Sequence, residues 1–134
     1  MTYISASLRR KIYDKAEGRC EYCHIHNDDS YLPHEVDHIY AEKHGGTTTE
    51  DNLCLCCMIC NRYKGSDLAS LDPITGEITP LFHPRKDKWD EHFHLSGAVI
   101  EPVSAQARVT IKLLQLNKPD RVLERRQLIL MGRF

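Results

Sequence analysis

Two Cys-x-x-Cys pairs, Cys20/Cys23 and Cys57/Cys60, with 33 residues between them in a chain of 134, restrict its folding more than any other feature. A two-residue gap lets both sulfurs of a pair reach one ion from a tight turn, and four thiolates in a tetrahedral array are a complete ligand set for structural zinc. The interval is too long for a plain zinc ribbon, so a folded insert is expected inside it. Disulfides or a redox dithiol are the competing readings. The opening residues, Met1 to Ser5, carry neither a basic head nor an apolar run, which predicts an intracellular, cytoplasmic chain with reduced thiols and disfavours disulfides. A thioredoxin-like redox site needs one pair after a strand rather than two. Cys54 and Cys56 are left over; Cys56, beside Cys57, is an alternative ligand, and otherwise both read as small core residues.

The hydrophobic pattern around the pairs predicts an α+β chain with one domain over residues 1–134. Its expected parts are a core at 20–68, an extended region at 69–103 and a helical hairpin at 104–134. Leu8, Ile12 and Ala16 recur every fourth residue, which predicts a first helix over 8–17 with Ser7 as cap and Gly18 as stop. Glu35 to Ile39 and Asn52 to Leu55 read as short strands, and a helix is expected from Cys57 to about residue 68, weakened by Gly65. Asp72-Pro73-Ile74-Thr75-Gly76 predicts a turn between extended pieces, and Ser96-Gly97 a hairpin. Helices are expected over 104–116 and from Pro119 to about residue 131. No stretch reaches the roughly 20 apolar residues of a membrane helix.

Net charge is −1, which by itself says nothing of nucleic acid, but the charges are unevenly placed. Residues 1–19 carry five Lys/Arg against two Asp/Glu, residues 104–134 seven against two, and the middle six against fifteen. An acidic centre between basic ends suits a metal site with phosphate-contacting arms, and suits solvated helix faces equally well.

The insert between the pairs runs His34-Glu35-Val36-Asp37-His38-Ile39, then Gly45-Gly46, then Asn52-Leu53, and leads into Cys57-Met58-Ile59-Cys60-Asn61-Arg62-Tyr63-Lys64. Each piece alone is weak. An Asp-His pair is usually a surface feature, and a lone Asn usually a turn residue. In this order and spacing they resemble the motif of HNH endonucleases: an Asp-His-Ile strand, a glycine loop, an Asn-Leu strand, and Cys-x-x-Cys followed by His or Asn and then Lys. The resemblance covers about residues 20–65. Farther on, only Leu81-Phe82-His83-Pro84-Arg85 is similar to small bacterial HNH proteins.

The resemblance implies a zinc-stabilised ββα-metal core, here preceded by a helix and followed by a β-hairpin and a C-terminal helical hairpin. It implies a DNA endonuclease or nickase, with RNA as substrate left open. His38 would be the general base, a task suited to an imidazole near neutral pKa. Asp37 and Asn61 would hold one catalytic divalent cation, Mg²⁺ or Mn²⁺, which hard oxygen ligands suit. Asn61 stands where many relatives carry His, and its neutral amide shifts preference away from transition ions. Asn52 would brace the loop that holds His38, and Arg62 and Lys64 would contact phosphates. Cys20, Cys23, Cys57 and Cys60 would bind structural zinc and so fix the helix bearing Asn61. Adjacent strand residues face opposite ways, so the strand must twist or end at Asp37-His38. His34 reads as support behind the site or as a surface or structural residue, His44 as a DNA contact or as a residue without a role, and His83, His92 and His94 lie outside the motif. The rival reading is an inactive zinc module that binds nucleic acid or protein. Oligomeric state, monomer or homodimer, is not legible.

Overall fold

The computed structural model describes residues 2–134. Contacts within the chain gather into two compact units, Met1–Asp67 and Leu68–Phe134.

The first unit contains α1 (Ala6–Lys15), β1 (Glu35–His38), β2 (Leu53–Cys56) and α2 (Met58–Lys64). Ser5, not Ser7, caps α1, its hydroxyl accepting from the Leu8 amide at 3.2 Å. Burial of Ile4 with Ile12 in the core sets that boundary two residues early. The helix stops at Lys15, because Glu17 and Gly18 turn into left-handed backbone with φ of 54° and 72°. At Gly18 a Cβ would lie 2.6 Å from the ring of His26, so the turn has no room for a side chain.

β1 and β2 pair antiparallel, with Asp37 opposite Cys54 and His38 opposite Leu53. Strand alternation then divides the hairpin. Val36, Leu53 and Leu55 pack towards α1 with Ile4, Leu8, Ile12, Tyr13 and Ala16. Glu35, Asp37, Cys54 and Cys56 occupy the other face, where α2 lies. The expected strand at Asn52 begins one residue later, since Asn52 closes a 3₁₀ turn, Glu50–Asn52. The helix expected to reach residue 68 ends at Lys64, where Gly65 departs from helical geometry at φ 53°. Ile4, Ile12, Leu53 and Leu55 form one buried cluster between α1 and the hairpin, while the opposite face of the hairpin is lined by buried cysteines and Tyr22, where a metal crosslink can add to the packing.

The second unit carries two hairpins, β3 (Ala69–Leu71) with β4 (Ile78–Pro80) and β5 (Phe93–Ser96) with β6 (Val99–Pro102). They are followed by α3 (Ala105–Leu114) and α4 (Pro119–Leu130). The turn expected at Gly97 joins β5 to β6, and Ser104 and Pro119 open the two helices as their sequences predict. The class is α+β, with small antiparallel sheets and a terminal helical pair. Among the described residues no helix is long and apolar enough to cross a membrane.

The turn at 72–76 is built on Asp72, which is solvent-inaccessible. It accepts from the Ile74 amide and Thr75 hydroxyl, and receives both arms of Arg108 at 2.8 and 2.7 Å. The Arg108 guanidinium holds the Asp72 carboxyl well below the usual carboxylate range, against the opposing effect of burial. A carboxyl whose folded pKa is depressed stabilises fully above its unfolded value near 4, and that stability is lost as pH falls below it. Thermal melting followed by the single tryptophan, Trp89, is therefore expected at lower temperature as pH falls from about 5 to about 2. Asp72→Asn should lower the melting temperature at pH 6 and flatten that acid slope; an unchanged slope would remove Asp72 from the account.

Candidate functional site

The sulfurs of Cys20, Cys23, Cys57 and Cys60 all lie within 4.8 Å of one another, and all four residues are buried. Cys23 and Cys57 are 3.7 Å apart at Sγ, close to the edge of about 3.8 Å for a tetrahedron with Zn–S near 2.3 Å. The set fits one zinc ion. Burial raises the Cys20 thiol, yet hydrogen bonds from Cys23, Cys56, Cys57 and Cys60 bring it well below the ordinary range. Contact with Cys20 lifts Cys23, and burial lifts Cys60, well above it. Four thiols in one dry cavity cannot all ionise unless a cation balances them, which is what zinc supplies. Cys57 also caps α2, its sulfur accepting from the Cys60 amide at 3.4 Å. Metal and cap therefore act on the same turn, the one preceding Asn61. Cys54 and Cys56 are buried beside this quartet, Cys54 against Tyr22 and Cys56 against the Cys20 thiol and the Cys57 carbonyl.

His38 is the last residue of β1 and pairs with Leu53, on the face opposite to Asp37. His38 is 7% exposed, and its Nε2 lies 2.9 Å from the Thr48 hydroxyl and 3.8 Å from a Glu42 carboxylate oxygen. Glu42 is itself held by the amide and hydroxyl of Thr2. Asp37 precedes it, half-buried on the face towards α2. Burial raises the Asp37 carboxyl above its ordinary value, and the Lys64 ammonium and the His38 amide oppose that rise.

Asn61 sits on α2 with its Nδ2 donating to Glu35 at 2.9 Å. One turn on, Lys64 donates to the Ile39 carbonyl at 2.8 Å. The helix is thus fastened along β1 at both ends, with Asp37 between. Lys64 had been expected on the surface among phosphate contacts. It is 2% exposed, because its ammonium satisfies the backbone just past His38. That placement offers no cation to a nucleic-acid backbone. Arg62, the other residue expected there, is exposed on α2.

Asn52 braces the loop. Its side chain accepts from the Tyr40 amide and donates to the carbonyls of Tyr40 and Thr47, all within 2.8–2.9 Å. The loop presses so closely on Gly46 that a Cβ there would fall 1.7 Å from the Tyr40 carbonyl oxygen. Thr48, which touches His38, is carried on this braced segment.

The basic ends are less available than their charges suggest. Arg108 is committed to Asp72, Arg125 to the carbonyls of Ala98 and Leu116, and Arg121 to that of Leu114. Lys11 and Lys15 face Glu50, and Arg19 donates to the His24 carbonyl. His34 bonds the Ile25 carbonyl and His44 the Ser66 carbonyl, both structural contacts. Sequence reasoning missed Glu35, Glu42 and Thr48. Alternation of side chains along β1 was the available signal for Glu35, since it shares a face with Asp37.

Residues 20–67 match the family model described as HNH endonuclease. No match was found among curated proteins or among solved structures.

Proposed function

Residues 20–67 form a domain of the HNH endonuclease family, and on that premise we propose that the protein is a metal-dependent DNA endonuclease or nickase that hydrolyses phosphodiester bonds. The observation that carries the reading is the engagement of His38 through Nε2 beside Asp37, on the strand that α2 flanks with Asn61. A zinc module without catalysis has no need of a buried histidine held in this way.

With Nε2 held by Thr48, Nδ1 is the ring nitrogen that takes a proton from the attacking water. The water oxygen bonds to phosphorus, the ester P–O bond breaks, and the leaving oxygen is protonated from solvent. The Glu42 carboxylate lies 3.8 Å from Nε2 of the same ring. The half-buried Asp37 carboxylate and the Asn61 Oδ1, the amide oxygen left over when Nδ2 donates to Glu35, would supply hard-oxygen donors of the kind that suits Mg²⁺ or Mn²⁺. Such an ion, when bound, acts as Lewis acid and template. Arg62, exposed on α2, would meet a flanking phosphate, and binding should weaken as salt rises. RNA of the same backbone chemistry is a second substrate to be compared.

Supercoiled plasmid should be relaxed or linearised by the wild-type protein when Mg²⁺ or Mn²⁺ is present, and left intact after dialysis against a chelator. Asp37→Ala should reduce the rate by about 100-fold or more, since one of two protein ligands is lost. Full cleavage by Asp37→Ala, or cleavage indifferent to added metal, would overturn the proposal.

A further inference from the structure

Glu35 lies outside the Asp-His-Ile pattern itself, yet its carboxylate meets the Asn61 amide, Nδ2 donating to Oε2 at 2.9 Å. An asparagine can serve a cation only through Oδ1, because its nitrogen has no free lone pair to give. The amide is nearly symmetric in shape, so something must decide which end faces the ion. A carboxylate is an acceptor only. Nδ2 is therefore the only end of the amide that Glu35 tolerates, and the flipped amide would set oxygen against oxygen. Glu35 lies two residues before Asp37 on β1, so both project on the face towards α2. The residue that turns Asn61 thus stands on the same edge as the other ligand.

We propose that Glu35 is a positioning residue: its carboxylate fixes the Asn61 side chain so that Oδ1 is presented to the cation alongside Asp37. The inference rests on the reading of Asp37 and Asn61 as the ligand pair. It predicts dependence on the hydrogen bond rather than on charge alone. Glutamine can turn its own oxygen to Nδ2 and preserve the orientation, whereas alanine cannot.

The test is Mn²⁺ affinity of the full-length, zinc-loaded protein, read by the loss of the free Mn²⁺ electron paramagnetic resonance signal, without reference to cleavage. Glu35→Ala should weaken Mn²⁺ binding about tenfold, the lower end of the range for partners that orient metal ligands, and Glu35→Gln by no more than about threefold. In an Asn61→Asp background both ends of the side chain are oxygens, so orientation no longer matters. There Glu35→Ala should bring no loss, and relief of repulsion should bring a slight gain. The inference is overturned if Glu35→Ala binds as wild type does, if Glu35→Gln falls as far as Glu35→Ala, or if the loss persists in the Asn61→Asp background. Absence of saturable, Asp37-dependent Mn²⁺ binding in the wild type would overturn the ligand pair itself, and Glu35 with it.

Discussion

Cys57→Ser is expected to bind less than half the wild-type zinc and to lose at least about 3 kcal/mol of stability, seen as a fall of roughly 12 °C or more in melting temperature. Cys57 belongs both to the buried sulfur quartet and to the cap of α2, so its loss acts on the metal and on the helix start together. Structural zinc contributes about 10–16 kcal/mol to small zinc-dependent folds, so losing a fraction of it outweighs any single side-chain contact here. Serine keeps some capping ability, so most of the loss is assigned to the metal. Circular dichroism during titration with a chelator should show the same loss in the wild-type chain, reversed by added zinc. A Cys57→Ser protein that melts with the wild type and keeps one equivalent of zinc would remove the quartet from the account.

His38→Ala is expected to lower the cleavage rate by about 10²–10⁴-fold, the usual contribution of a positioned general base. The ring is buried and its Nε2 engaged, so it cannot swing to another task without breaking contact with Thr48. Alanine leaves the Asp37 carboxylate and Asn61 in place, so Mn²⁺ affinity should change little while the rate collapses. That separation of binding from rate distinguishes a base from a ligand. His38→Asn, closer in size and still able to meet Thr48, guards against a loss caused by collapse of the pocket. Equal cleavage by folded His38 variants and wild type would assign the base elsewhere.

The chain declares its chemistry where the chemistry is local. A Cys-x-x-Cys pair is a turn and two ligands at once, and Asp37-His38 ahead of a strand end needs no tertiary knowledge to be noticed. Asn52 was legible for a similar reason, since its partners Tyr40 and Thr47 lie on the loop it closes. Relations between distant segments were not legible. Glu35 meets Asn61 across 26 positions and Thr48 meets His38 across 10, and nothing in composition or period announces either. Lys64 shows the opposite failure. A lysine after a metal ligand reads as a phosphate contact, but the carbonyl of Ile39 at the end of β1 needed a donor and took it. Arg121 and Arg125 misled in the same way: their charge suggested a basic arm, while their side chains close the backbone of Leu114, Ala98 and Leu116. Charge counted along a sequence does not say which cations the fold has already used.

The claim on which everything else depends is that one cation is shared by Asp37 on β1 and Asn61 on α2. Diffraction from crystals of the full chain grown with Mn²⁺, with anomalous data at the zinc and manganese edges, tests it directly. The account predicts zinc inside the Cys20, Cys23, Cys57 and Cys60 quartet, and a separate manganese peak within about 2.3 Å of an Asp37 carboxylate oxygen and of Asn61 Oδ1. Manganese bound without either of these residues, or side chains that stay apart at saturating Mn²⁺, would contradict it.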